Sequence, residues 1–479
     1  MNSQRGYYSS VVQQFGITLT RLSEKLVPDS MIIVWILTFV TLALTIFLGA
    51  PLGEVKPNWV CKSPADWGMG VECSIRAWGQ GFWALLGPSM QLCIMLITGY
   101  VVARAPLMKR MLGWLASIPK KPAQAVLMLS IFSMITACVH WGLSLMASGM
   151  LAVFIVRNAP ELKVDYRLLI ASAYLGLGCT WHAGLTGTAP LWANTPGNPT
   201  QNILKQAVPQ TQTIFTLFNV VLLLIVIVSI ATLIYLLHPS QQGTLSISKE
   251  QLKTLETFDI PKERNDTSFS NRLLWWPGFS IGVVLLGLAW LCTLWRISKQ
   301  ATELFTFDNI NFVFLILGIA LNYRPILFLN AVEEAGRAVW GIIIQFPFYA
   351  GIYGLFTFTN LGVAIAQRFV SISTPKSFPL ITFWYTGVLN YFIPSGGAEW
   401  LVTSPYLVPT VETLHVPMSQ LILAFAWGNM MTDMIQPFYA IPLLAVAKLK
   451  FRDIMGYLLV VFLLNFVITT TAFFIMPRL

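Results

Sequence analysis

Apolar stretches of about twenty residues, each near the length a helix needs to cross a bilayer, recur along this chain. Met31–Gly49 is the first, and further crossings read at 80–103, 166–193, 212–238, 273–296, 308–323, 336–358, 420–447 and 454–476. In hydrocarbon every backbone amide must bond within the protein, so such segments fold as helices. Of 479 residues 56% are hydrophobic and only 10% charged, whereas a soluble domain has about 25% charged residues. A single water-soluble core of that size is excluded, because large cores split into domains.

Two more apolar stretches, 122–157 and 378–411, have small, polar or turn residues at their middle. They read as re-entrant hairpins that enter and leave on one side, giving an all-α polytopic membrane protein of nine transmembrane helices plus two hairpins. Charge tests the arrangement. With the N-terminus cytoplasmic, the segments 1–30, 104–121, 157–167, 239–272, 324–337 and 448–452 hold 21 of the 30 Lys and Arg. That bias fits the enrichment of cations on the cytoplasmic side of inner-membrane proteins and puts the C-terminus in the periplasm. It also accounts for the net charge of +10 without nucleic acid; the lipid bilayer is the expected partner. No small-residue cleavage site follows Met31–Gly49, so a cleaved signal peptide is not expected.

The chain divides into a cytoplasmic tail (1–30), a first repeat (31–238), a polar linker (239–272), an extra helix (273–296) and a second repeat (308–479). A shift of 252 lays 168–193 on 420–445 without a gap: Leu169, Ile170, Gly176, Thr180, Pro190, Leu191 and Ala193 meet Leu421, Ile422, Gly428, Thr432, Pro442, Leu443 and Ala445. A shift of 257 lays one hairpin on the other and Pro122 on Pro379. Four crossings return the chain to its starting side and the extra helix flips it, so the second repeat is expected upside down. Inverted repeats with discontinuous helices mark secondary transporters, whose site lies near the midplane.

Polar and turn residues inside apolar spans locate that site. The first hairpin turns near His140, Trp141, Gly142, Ser144 and Ser148; the second turns at Pro394, Ser395, Gly396 and Gly397, followed by Glu399 and Trp400. Such a Gly-rich tip can offer backbone N–H groups to an anion. Span 166–193 is interrupted by glycines with Thr180, His182 and Thr186, and span 420–447 by Asn429, Thr432, Asp433, Gln436 and Pro437. His140, His182, Glu399 and Asp433 are ionisable groups within the membrane, where a charge costs about 2.5–3.5 kcal/mol on insertion scales. The structural alternatives are a neutral packing role for each His, and a buried ion pair or interfacial placement for the carboxylates. Substrate binding is assigned to His140, Trp141, Gly142, Ser144, Thr180, Thr186, Ser395, Gly396, Gly397, Trp400, Asn429, Thr432 and Gln436, and coupling to His182, Glu399 and Asp433. Residues 104–118 form an expected interfacial amphipathic helix.

Cys93, Cys138, Cys179 and Cys292 lie in apolar stretches and read as buried free thiols, while Cys61 and Cys73 share a polar loop. A disulfide forms there if the loop faces an oxidising compartment. With no CxxC, HExxH, GxSxG or P-loop pattern, neither an enzyme nor a metal or other cofactor is expected.

The strings TPGNP (195–199), QFPFYAGI (345–352), IPSGG (393–397) with Trp400, QPFYAIPLLA (436–445) and RDIMGY (452–457) resemble the bacterial short-chain fatty acid transporter family, the acetoacetate and butyrate carriers of the ion transporter superfamily. The likeness spans nearly the whole chain. It implies two inverted repeats, elevator-like motion, a homodimer, and a small carboxylate as substrate. The chain departs from the family pattern at His140, His182, Glu399, Asn429 and Asp433, all at the expected site. The function that follows is proton symport of short-chain monocarboxylates across the bacterial inner membrane. The alternatives are another small organic acid or an amino acid, sodium coupling, or a channel.

Overall fold

The computed structural model describes residues 30–51, 57–62, 70–198, 200–239, 244, 246–247, 249–255, 268–298, 301–337 and 339–476. The expected cytoplasmic tail lies outside these residues, as does most of the linker. Among the described residues the protein is helical. The main helices are α1 Ser30–Leu48, α2 Gly70–Gly81, α3 Leu86–Arg104, α4 Pro106–Ala116, α5 Pro122–Val139, α6 Trp141–Asn158, α7 Tyr166–Cys179, α8 Thr188–Asn194 and α9 Leu217–Leu237. The chain continues through α10 Gly278–Ile297, α11 Phe307–Asn322, α12 Pro325–Gly336, α13 Trp340–Thr357, α14 Leu361–Ile372 and α15 Phe378–Phe392. It ends with α16 Gly396–Leu414, α17 Met418–Asp433, α18 Ile441–Ala447 and α19 Phe451–Ile475.

Seven of the described helices are long and apolar enough to cross a membrane, or up to ten spans if each bent pair counts as one. Local chemistry sets their ends. Pro106, Pro122 and Pro325 open α4, α5 and α12 at positions whose N–H would be unpaired anyway. Asp165, Thr216 and Thr306 cap α7, α9 and α11 by accepting a backbone N–H three residues on.

Order and packing repeat. The offset from α2 to α12 is 255 residues, from α6 to α16 again 255, and from α7 to α17 252, counting first residues. α13 is braced by α1 and α2, and α3 by α11 and α12. Likewise α5 packs on α7 and α15 on α17, while α4 packs on α6 and α14 on α16. Helices of each half thus pack against helices of the other in matching pairs.

Burial runs opposite to hydropathy. α1, α9 and α10, rich in Leu, Ile, Val and Phe, leave Phe39, Phe47, Leu224, Val228 and Leu286 exposed. The Gly-, Ser- and Thr-bearing α6, α7, α16 and α17 are almost wholly buried. In lipid an apolar side chain gains nothing by turning inward, so small residues take the centre because they let backbones approach.

Several expected boundaries change. The crossings expected at 80–103 and 336–358 are α3 and α13, each preceded by a separate short helix, α2 and α12. The segment 359–377 forms α14, the counterpart of α4. The crossing at 273–296 begins at Gly278, after a break at Trp276 and Pro277. Cys61 and Cys73 are joined in a disulfide with Cα atoms 6.0 Å apart. The segment leading into it is pinned to the end of α13, where Val60 N–H donates to Phe358 O at 3.0 Å.

Candidate substrate and coupling site

Each expected hairpin is a pair of helices joined within a few residues, and the two helices of the first, α5 and α6, are each long and apolar enough to cross a membrane. α5 gives way to α6 at His140, which has φ −159° and ψ 115° and whose Nδ1 accepts Leu143 N–H. α15 gives way to α16 at Ser395, with φ −159° and ψ 101°, whose Oγ accepts Ala398 N–H. The same extended residue, used as an N-cap, thus closes both tips. An N-cap must accept a hydrogen bond, so a capping His140 is the neutral tautomer with its proton on Nε2.

Both expected interruptions are bent helix pairs. α7 ends at Cys179, and its pair bends by 40°; α17 ends at Asp433, and its pair bends by 65°. A short 3-10 turn follows each, Trp181–Ala183 and Phe438–Ala440. Thr180 Oγ1 donates to Met134 O at 2.7 Å, Thr432 Oγ1 to Gly387 O at 2.8 Å, and Ser144 Oγ to Ser133 O at 2.8 Å. These three hydroxyl protons bind helices together and do not point at an open site. Thr186 Oγ1 accepts Trp141 N–H at the start of α6, and Gln436 Oε1 accepts Phe438 N–H at 2.7 Å, so both stabilise breaks.

The tips meet across the first break. Gly184 lies so close to the first tip that a Cβ there would sit 2.3 Å from Cys138 O. Leu185 N–H donates to that same oxygen at 2.7 Å. Trp141 stacks on Trp181 with centroids 4.9 Å apart, and Tyr439 from the second break stands edge-on to Trp181 at 5.3 Å. His182 follows, its Nδ1 2.9 Å from Thr188 Oγ1. From the other side Gly396, at the start of α16, fits against His182, Thr188 and Asn429. His140 instead packs on Phe314 of α11 with ring centroids 4.0 Å apart and against Gly99 of α3. Gly142 likewise faces Leu96 of α3, and Gly397 faces Leu92 of α3 and Trp192 of α8. Trp400 packs edge-on against Phe425.

The buried carboxylates lie in one amide-linked network. Asn429 Nδ2 donates to Glu399 Oε2 and to Asn390 Oδ1, the latter at 3.0 Å. Asn390 Nδ2 donates to Asp433 Oδ1 at 2.8 Å and to Thr432 Oγ1 at 3.0 Å. Tyr174 of α7 fixes the break by donating from its hydroxyl to Asp433 O at 2.9 Å. Among the described residues neither Glu399 nor Asp433 forms an ion pair. Glu399 Oε1, Asp433 Oδ2, Asn429 Oδ1, His182 Nε2, Trp141 Nε1 and Tyr349 OH are buried without a hydrogen-bond partner. Buried polar atoms are normally satisfied, and these six lie around the two breaks.

Asn390, Trp181 and Tyr439 join the site although the sequence reading did not single them out, and Thr188 joins it from the interrupted span 166–193. Asn390 had a signal, being a lone amide in the apolar run of α15. Tyr439 and Trp181 had none beyond flanking a break. Asn219 of α9 is a further link, donating to Ala183 O at 3.0 Å and accepting from Trp427 Nε1 at 2.8 Å.

A polytopic helical membrane transport protein is the class that this fold and its paired breaks define. The chain belongs to the short-chain fatty acid transporter family, whose model matches residues 11–476. A relative named as a short-chain fatty acid transporter in Escherichia coli is 32% identical over 461 residues, covering 95% of this chain and 98% of that protein. Its counterpart in Haemophilus influenzae is 31% identical over 452 residues, covering 92% and 94%. Among solved structures, the YdaH transporter of Alcanivorax borkumensis, described as having an unusual topology, aligns with a TM-score of 0.62 at 18% identity, covering 94% of this chain and 98% of that one. Neisseria gonorrhoeae MtrF, described within a class of antimetabolite efflux pumps, aligns with a TM-score of 0.55 at 17% identity, covering 96% and 97%. These two likenesses concern the fold alone. The protein is a transporter and not an enzyme.

Proposed function

We propose that this protein is a proton-coupled secondary carrier of short-chain monocarboxylates, working by alternating access at the point where the tip of α16 meets the two helix breaks. The convergence of Gly396 with His182, Thr188 and Asn429, beside two carboxylates that have no ion-pair partner among the described residues, is the observation that supports this reading most. The substrate carboxylate is received by the first amides of α16, at Gly396 and Gly397, because a helix N-terminus presents N–H groups and a positive dipole end. His182 Nε2–H and Trp141 Nε1–H supply further donors, in place of the hydroxyls of Ser144, Thr180 and Thr432. The short acyl tail rests on Trp141, Trp181 and Tyr439.

Glu399 and Asp433 take the coupling role. A charged Glu399 beside the bound anion would repel it, by about 4 kcal/mol for unit charges roughly 4 Å apart at an effective dielectric of 20. A proton on Glu399 removes that repulsion, so anion and proton bind best together, which is the thermodynamic basis of symport. The amides of Asn390 and Asn429 connect the two carboxylates, so a proton on one alters the electrostatics of the other.

The hairpins are re-entrant and the repeats inverted, with the N-terminus cytoplasmic. Contacts between distant segments support that arrangement, since each joins segments assigned to the same side. Arg104 pairs with Glu334, and Tyr166 OH donates to Ala447 O, on the cytoplasmic side. Lys205 pairs with Glu412, Asn194 donates to Phe305 O, and the Cys61–Cys73 segment meets the end of α13, on the other. The hairpin-bearing parts move against the remaining spans, in the manner of an elevator.

Counterflow in reconstituted vesicles tests the substrate assignment. Vesicles preloaded with unlabelled butyrate should take up labelled butyrate or acetoacetate saturably and faster than empty-liposome leakage; no exchange above leakage would overturn it. A second reading rests on the stacked Trp141–Trp181 pair with Tyr439 edge-on. That surface also suits a planar ring, as in an aromatic acid. Benzoate competing better than butyrate would favour it.

A further inference from the structure

Beside the two breaks, Trp192 of α8 carries an indole N–H that is buried without a hydrogen-bond partner among the described residues, on a residue only 3% exposed. Where it points follows from α8 itself. Thr188 and Trp192 are four residues apart, so they share one face of that helix. The same face runs along the first turn of α16. A Cβ on Gly396 would stand 2.5 Å from Thr188 Oγ1, and a Cβ on Gly397 would stand 3.7 Å from Trp192 Nε1. Each glycine of the tip thus meets its own side chain from α8.

The indole ring is held in that direction. It packs edge-on against Phe307 of α11 with centroids 5.0 Å apart. Asn194 Nδ2 donates to Phe305 O at 2.8 Å, and Phe307 N–H donates to Thr195 Oγ1 at 3.1 Å, so the end of α8 is tied to the start of α11. The other neighbours of Gly397 are Leu92 of α3 and Phe346 of α13, 3.1 and 3.9 Å from the same Cβ position and both buried. Their carbons offer no lone pair to the indole N–H. On α16, Ser395 Oγ accepts Ala398 N–H, while the amides of Gly396 and Gly397 belong to the first turn, where a helix has no acceptor of its own for them. An indole donor and two amide donors therefore converge at the positive end of a helix dipole.

We propose that Trp192 is a substrate-binding and specificity-determining residue: its indole N–H and the Gly397 amide hold one carboxylate oxygen, while the Gly396 amide and His182 Nε2–H hold the other. The assignment rests on the carboxylate reading of the site given above and adds to it a second pair of donors. Two pairs of donors fit the two oxygens of an ionised carboxylate, and hydrogen bonds to a charged acceptor are the strong ones. A neutral amide of the same shape puts an NH2 group where one oxygen belongs, donor against donor, and is rejected. The apolar wall of Leu92, Phe346 and Phe307 keeps the Trp192 donor from finding another acceptor.

The test uses the full chain in detergent, labelled with 15N at its 17 tryptophans, with the indole N–H signals followed by NMR as butyrate, benzoate or butyramide is added. The signal missing from the W192F spectrum belongs to Trp192; W192Y gives the same assignment should W192F fail to fold. That signal should move downfield, saturably, with the carboxylates and stay in place with butyramide. In reconstituted vesicles W192F should raise the KM for butyrate by at least about tenfold, the worth of one hydrogen bond to a charged group, while competition by butyramide stays as weak as in the wild type. W290F, at an exposed tryptophan of α10, should change neither. A Trp192 signal unmoved by a carboxylate that the protein takes up, or a W192F KM within twofold of wild type, would overturn the proposal and leave the carrier reading standing. A Trp192 response to benzoate with none to butyrate would uphold the proposal and overturn the short-chain assignment. No response and no uptake with either carboxylate would overturn both.

Discussion

Gly396→Ala puts the account of the site under direct strain. A Cβ at that position would lie 2.4 Å from His182 Cε1, 2.5 Å from Thr188 Oγ1 and 2.6 Å from Asn429 Oδ1. Carbon contacts settle near 3.5–4.0 Å, so each neighbour would have to retreat by about 1 Å. None is loose. The His182 ring is bound to Thr188 at 2.9 Å, and the Asn429 amide group bonds to Glu399 and Asn390. Alanine returns at most about 1 kcal/mol of helix propensity over glycine, whereas overpacking costs about 1–3 kcal/mol. The net loss of stability is about 0–2 kcal/mol, and the tip of α16 comes to rest displaced from the first break. Butyrate uptake by reconstituted G396A should fall at least tenfold while the melting midpoint drops by only a few degrees. Gly79→Ala, where a Cβ meets nothing within 4 Å, should change neither. Wild-type uptake by G396A with an unchanged midpoint would refute the reasoning.

Three further outcomes are expected. Asn390→Ala strips donors from Asp433 and Thr432 and the acceptor from Asn429, and unsatisfied buried groups cost about 1–3 kcal/mol each; a melting midpoint and uptake both equal to wild type would contradict the network. Asp433→Asn should retain counterflow but lose accumulation driven by a proton gradient, and undiminished proton-driven accumulation would remove Asp433 from coupling. Cys61→Ser with Cys73→Ser should cost about 3 kcal/mol, the chain-entropy value for so short a loop. In intact cells that disulfide should be reduced by a membrane-impermeant phosphine added outside, and protection from it would reverse the proposed orientation.

Much of the fold was legible because lipid makes hydropathy a direct readout of helices. The interruptions at Thr180 and at Asp433–Pro437 were legible too, since glycine, proline and polar residues in a span need a reason to be there. What escaped was short or neutral. α2, α12 and α14 have only 12 residues each, too few to register as crossings. Within the site, Asn429 and Gln436 drew notice beside the ionisable residues but Asn390 did not, yet Asn390 bonds directly to Asp433, Thr432 and Asn429. Hydroxyls drew too much notice: Ser144, Thr180 and Thr432 lie near the breaks, but their protons go to backbone carbonyls exposed by helix packing. Sequence position shows that a hydroxyl is near a break but not which carbonyl it will meet, because that carbonyl belongs to another helix. His140 shows the same limit, standing at a tip in sequence while its ring turns toward α3 and α11.

Accumulation of labelled butyrate in vesicles, with membrane potential clamped and only a proton gradient imposed, tests the central claim most directly. The account predicts saturable accumulation above empty-liposome controls, abolished by a protonophore and indifferent to sodium. Accumulation that follows a sodium gradient instead, or entry no faster than leakage, would contradict it.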